Sequence, residues 1–94
     1  MSYSLAFLES ALREWTKLNS TVRDQFKKKL QEGLGQPRVP ASKLRGSTER
    51  YKIKLRDAGY RLVYEVDDKT VLVTVVAVGK RDRNAVYKAA EKKR

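Results

Sequence analysis

Residues 51–66 read YKIKLRDAGYRLVYEV, and this stretch decides the fold. Tyr51, Ile53 and Leu55 alternate with Lys52, Lys54 and Arg56. After a break at Asp57-Ala58-Gly59, Tyr60, Leu62, Tyr64 and Val66 alternate with Arg61, Val63 and Glu65. A period of two marks a strand with one buried face, and two such runs around a glycine-containing break predict an antiparallel hairpin. With Ala58-Gly59 as a two-residue loop, Asp57 opposes Tyr60, Arg56 opposes Arg61 and Lys54 opposes Val63. That register puts Tyr51, Ile53, Leu55, Tyr60, Leu62 and Tyr64 on a core face and Lys52, Lys54, Arg56 and Arg61 on the other. A one-residue slip in one strand would send cations into the core, so the pattern favours this register.

Working outward, residues 70–78 (TVLVTVVAV) are apolar on both faces, which suits the central, most buried strand. Asp67-Asp68-Lys69 before it reads as a turn. Adjacent aspartates also suit a metal, but turns favour Asp for local hydrogen bonds, and no other acids obviously converge there. Upstream, residues 35–49 form a loop with Pro37, Pro40 and the segment Lys43-Leu44-Arg45-Gly46. Val22, Phe26, Leu30 and Leu34 recur every fourth residue, a helical stripe, with Arg23, Lys27 and Lys28 on its opposite face. Gly33, Gly35 and Pro37 end that helix, and Asn19-Ser20-Thr21 carries the oxygens that cap its start. Leu8, Ala11, Leu12, Trp15 and Leu18 form the stripe of an earlier helix. Trp15 has the chemistry to stack on a base, but its place on the stripe assigns it to the core. Residues 2–7 alternate as a first strand, and from Asp82 onward Val86, Tyr87, Ala89 and Ala90 give a last helix a thin, loosely held apolar face. The expected architecture is one α+β domain over 1–94, β-α-α-β-β-β-α, with a helical hairpin on one face of a mainly antiparallel sheet.

The 94 residues carry 22 Lys and Arg against 11 Asp and Glu, a formal charge of +11. The excess is uneven: residues 1–40 hold seven basic and four acidic groups, and residues 41–94 hold fifteen and seven. Such a field attracts polyanions, nucleic acid first, and an acidic protein partner also fits. The absence of Cys and His removes disulfides, thiolate ligands, the commonest general base and the commonest transition-metal ligand, so no metal or cofactor is expected. Residues 1–12 lack the basic start of a signal peptide, and no apolar run reaches the ~20 residues of a membrane span, which predicts a cytoplasmic protein with no membrane partner.

The cation-bearing hairpin face has two readings. Half-exposed antiparallel sheets commonly present Lys and Arg to water. Here the cluster has only Glu65 among it, and Gly79-Lys80-Arg81 brings more cations to the sheet end, which together describe a phosphate site. KLRG at 43–46, YKIKLRDAGYRLVYEV at 51–66 and VGKRDRNAVY at 78–87, in that order in a basic chain of this length, resemble the RelE family of bacterial toxins along essentially the whole sequence.

That resemblance implies an endoribonuclease that cuts messenger RNA in the A site of the 70S ribosome. A 2′-hydroxyl attacks the adjacent phosphate and leaves a 2′,3′-cyclic phosphate. It also implies a neighbouring RelB-like antitoxin that masks the toxin and joins it in a repressor complex on operator DNA. The family's catalytic positions fall on Lys52, Lys54, Arg61, Arg81 and Tyr87, and Arg45, Arg56, Lys80 and Arg83 are the further RNA contacts expected. Such chemistry needs a base, an acid and cations around a crowded phosphorane. Lys52, Lys54 and Arg61 supply charge. Tyr87 would serve as base, relay or stacking group, or, without the resemblance, as packing for the last helix. Arg81 stands as leaving-group acid in the family, although a guanidinium is a poor proton donor and charge stabilisation is its simpler role. Several relatives place a His and acids in this site, so the base is left open. The competing readings are a noncatalytic nucleic-acid-binding or corepressor module, and a cationic face that serves only to dock an acidic peptide.

Overall fold

In the computed structural model, which describes residues 2–44, 46 and 49–80, the alternating stretches form strands and the four-residue stripes form helices. In chain order these are β1 (Ser4–Phe7), α1 (Glu9–Thr16), α2 (Ser20–Gly33), β2 (Arg50–Leu55), β3 (Tyr60–Asp67) and β4 (Leu72–Lys80), with a 3-10 turn at Pro40–Ser42. The helix expected beyond Asp82 lies outside the described residues. The strands form one sheet in the order β1-β4-β3-β2, antiparallel except for β1, which runs parallel to β4 from Ser4↔Leu72 to Phe7↔Val75. Both helices pack on one face.

Strand β4 lies between β1 and β3, which is why its sequence is apolar on both sides. Val73, Val75 and Val78 join the main core with Phe26, Leu62 and Val66. Val76 and Ala77 join Val63 in a smaller cluster on the opposite face, flanked by Leu8 and Leu44. A bulge between Val63 and Tyr64 shifts the β3–β4 register there.

The helices are set by their caps and stripes. The Asn19 Oδ1 accepts a hydrogen bond from the Val22 amide at 2.9 Å and starts α2, whose Val22, Phe26 and Leu30 are buried. Along α1 and the turn after it, the core-facing residues are Ala11, Trp15 and Leu18. Leu12, expected on that stripe, is 45% exposed because it sits a helical step of about 100° from Ala11. Trp15 packs between Phe7 and Phe26, with ring centroids 5.1 and 6.4 Å away, in the core role its spacing assigned. Beyond Val75, strand β1 no longer covers the β4 edge, and α1 takes its place. The Leu8 amide donates to the Val75 carbonyl at 3.0 Å, and a Glu14 carboxylate oxygen accepts from the Val78 amide at 3.3 Å.

The hairpin departs from its expected register by two residues. Leu55 pairs with Tyr60, Lys54 with Arg61, Ile53 with Leu62 and Lys52 with Val63, so the loop is the four residues 56–59 rather than two. A two-residue hairpin loop of the favoured kind would force Ala58 into the left-handed region, where its Cβ is strained. The four-residue loop spares it: Gly59 takes that conformation (φ +72°), and its amide closes on the Leu55 carbonyl at 2.9 Å. A shift of two keeps each side chain on its own face. The core face therefore stands as expected, whereas Arg56 moves off the ladder into the loop and no longer opposes Arg61.

Loop 35–49 is fastened by Arg38. Its guanidinium lies 2.7 Å from Glu49 and 2.9 Å from Asp68, and donates to the Tyr51 hydroxyl at 3.3 Å. Asp68 also accepts from the Tyr3 hydroxyl at 2.7 Å, so one carboxylate joins β1, the loop and the β3–β4 turn. The hydrogen bonds from Arg38, then Tyr3, hold the Asp68 carboxyl below its ordinary pKa, and the same bond raises that of Tyr3. Asp67 accepts from the amides of Lys69 and Thr70, the local turn role read for this aspartate pair. The buried Tyr64 hydroxyl donates to the Pro37 carbonyl at 2.7 Å. Burial, with a smaller contribution from Tyr51, pushes its pKa up to about 12.

Candidate active site

The pleat of β2 and β3 sends Lys52, Lys54 and Arg61 to the face away from the helices. Lys54 stands directly across the ladder from Arg61, where like charges cost stability. Lys52 stands across from Val63, whose side chain is wholly buried, so the lysine stem rises from an apolar floor made by Val63, Val76 and Ala77. Arg61 is opposite Gly79 on β4, a ladder position that carries no side chain. Lys54 and Arg56 line common clefts at the hairpin tip, so the loop arginine stays beside the cluster despite leaving the ladder.

Two charged residues went unread in the sequence, Arg50 on this face and Arg38 in the loop before β2. Arg50 pairs with Glu65 across the ladder, its Nε 3.7 Å from the carboxylate, with both side chains largely buried. The acid nearest the cluster thus lies against a cation of its own. The correct register would have predicted this pair, because only then does residue 50 oppose residue 65. Arg38 had no such signal, since a loop residue between Pro37 and Val39 belongs to no periodic pattern.

Lys80 departs from expectation in a different way. It ends β4 opposite Tyr60, a register position on the helix-side face, so it is not grouped with Lys52, Lys54 and Arg61. The segment Lys43-Leu44 docks along the outer edge of β2. Lys43 bridges to Tyr51, the Leu44 amide donates to the Arg50 carbonyl at 2.9 Å, and the Leu44 side chain flanks the Val63 cluster. Arg45, Arg81, Arg83 and Tyr87, the remaining expected site residues, lie outside the described residues. Among the described residues, no three His, Cys, Asp or Glu side chains gather as a metal site, and no helix is long and apolar enough to cross a membrane. What the face offers chemically is positive charge held by two paired strands of the sheet, with Lys54 exposed and Lys52 and Arg61 half-exposed.

A small α+β sheet with helices on one face and a cationic patch on the other defines a class of toxin, and residues 5–85 match the family model described as the ParE toxin of the type II toxin–antitoxin system parDE. The mRNA interferase toxin RelE of Escherichia coli strain K12 is 59% identical over 93 residues, covering 99% of this chain and 98% of its own. The solved structure of a double arginine-to-alanine mutant of E. coli RelE in the free state superposes with a TM-score of 0.92 at 57% identity, over 99% of this chain and 98% of that one. RelE in the intact E. coli RelBE toxin–antitoxin complex gives 0.83 at 60% identity, over 87% and 100%. The chain belongs to the RelE family of mRNA interferase toxins.

Proposed function

We propose that this chain is a ribosome-dependent endoribonuclease that cuts messenger RNA in the A site. The 2′-oxygen attacks the adjacent phosphorus, the P–O5′ bond breaks, and the products are a 2′,3′-cyclic phosphate and a 5′-hydroxyl. The observation that carries this reading is the placement of Lys52, Lys54 and Arg61 on one face, with Lys54 and Arg61 directly opposed. Opposed cations repel one another across a ladder. A dianionic phosphorane gains from such a pair, because preorganised charge stabilises it without reorganisation at the moment of reaction.

In this reading Lys52, Lys54 and Arg61 hold the phosphate, Arg56, Arg45 and Arg83 contact the RNA backbone, Arg81 stabilises the departing oxygen, and Tyr87 accepts or relays the nucleophile's proton. The inventory for proton transfer is thin, so orientation must supply much of the acceleration. Holding reactants in line is worth roughly 7–11 kcal/mol of barrier. The ribosome provides it by constraining the message. A RelB-like antitoxin opposes the toxin, as RelB accompanies RelE in the solved complex, and the pair would act on operator DNA. Such a substrate places the protein in the cytoplasm. The test compares saturating single-turnover rates on one message, free and bound to a ribosome with an empty A site, at equal salt. Rapid cleavage only on the ribosome is expected. Comparable rates would mean a self-sufficient nuclease, and no cleavage in either case would leave a binding module.

A further inference from the structure

The cations do not stop at the sheet face. A cleft of about 880 Å³ between α2 and the end of β2 is lined by four cations, Lys28, Lys29, Lys54 and Arg56, and by two acids, Glu32 and Asp57. A second, of about 330 Å³, holds Lys54, Arg56, Tyr60 and Arg61. A third, of about 430 Å³ along the β2 edge, holds Lys29, Lys52, Lys54 and Arg56. All three share Lys54 and Arg56, so they form one continuous surface that leads from the catalytic lysines round the hairpin tip to α2.

We infer that this surface is a track for single-stranded RNA flanking the scissile phosphate, with Lys28 and Lys29 holding the backbone beyond the reacting nucleotides. The inference rests on the RNA-cleaving reading of the sheet face. Lys28 and Lys29 are exposed, and α2 packs through Val22, Phe26 and Leu30, so the fold does not need them. Among the described residues neither lysine has an ion-pair partner, yet both look across a cleft at further cations. Lysines on an exposed strand guard it against edge-to-edge pairing, but that role cannot account for charges on the helix opposite. The clefts are open and each is lined by at least three cations, which suits a hydrated, repeating anion rather than an apolar segment. Continuity with Lys54 and Arg61 favours the substrate strand itself over a separate nucleic acid.

The test uses the full chain and two RNA oligonucleotides with 2′-deoxy at the scissile position, which removes the nucleophile. One is a trinucleotide, and the other is extended by several nucleotides on both sides. The Lys28→Ala/Lys29→Ala variant should keep its thermal midpoint and bind the trinucleotide as the parent does. For the extended RNA its log K against log salt slope should fall by about 1.4, two contacts at about 0.7 each. Its saturating cleavage rate on programmed ribosomes should be unchanged. Equal loss on both oligonucleotides, an unchanged slope, or no measurable binding of the extended RNA by the parent would each overturn the track. So would equal loss of affinity for ribosomes without message, which would make this a ribosomal-RNA surface. A loss confined to antitoxin binding would also overturn it. Failure of the parent to cleave programmed ribosomes would count against the underlying reading instead, so the two failures are separable.

Discussion

On the proposed reading, Arg61 is a ladder position both costly for the fold and valuable for chemistry. It faces Lys54 across the β2–β3 pair and Gly79 on β4. Arg61→Ala should therefore lower the single-turnover cleavage rate by about 10²–10³, the usual loss for a preorganised contact to a transition state. The thermal midpoint should scarcely move, since a like-charge opposition is relieved in the same step. Normal cleavage by the folded variant would remove Arg61 from the site. Asp68 makes the contrasting case of a charge that serves structure alone. Its folded pKa is depressed by Arg38 and Tyr3, so its contribution is present above the ordinary carboxylate pKa and is lost as pH falls through the folded value. Thermal midpoints followed from neutral pH into acid should drop less steeply for Asp68→Asn than for the parent. Parallel curves would show that the Arg38–Asp68–Tyr3 contact does not couple to folding. Neither Arg38 nor its contacts with Glu49, Tyr51 and Asp68 were legible from the sequence, because periodicity reports on regular elements and this network joins two turns and a strand start.

At the level of elements, the hairpin carries both the success and the miss of sequence reading. Alternation fixed which residues share a face, since that depends only on parity, and so Lys52, Lys54 and Arg61 were found together. Alternation is blind to a shift of two, and loop chemistry decided the rest. Gly59 is the residue on which that choice turns, with its φ of +72° and its amide bonded to Leu55. No other atom lies near the position of an added Cβ, so Gly59→Ala isolates the backbone effect. It should destabilise the protein by about 1–2 kcal/mol, the cost of the left-handed conformation for a side-chain-bearing residue. Denaturant unfolding with an unchanged m-value would measure it. A neutral effect would show that the loop readily adopts another form. The helices were more readable still, because Asn19 caps α2 locally and its stripe meets the core without help from distant residues. The parallel pairing of β1 to β4 was not readable, since a four-residue strand carries too little pattern to name its neighbour.

Across the whole molecule, the charge, the sheet and the helices divide the labour. The helix-side face holds the main core, and the other face carries the cations on a small apolar floor. The strand order β1-β4-β3-β2 also fixes a sequence of events in time. The β2–β3 hairpin closes between neighbours in the chain, but Ser4 must find Leu72 across most of the molecule's length. Long-range closure is entropically expensive and tends to come late. Stopped-flow kinetics should then show Ile53→Ala slowing refolding, while Leu5→Ala mainly speeds unfolding. A slowed refolding limb for Leu5→Ala would place β1 in the folding nucleus instead. During synthesis the same order means that the lysine-bearing hairpin leaves the ribosome before β4, the strand that backs it and receives β1. A nascent toxin thus displays its cations on a hairpin that β4 does not yet back, and two-stranded ribbons in water are marginal at best. On the proposed reading the machine that makes this protein is also where it acts, and the late arrival of β4 keeps the weapon unassembled while most of it is being made.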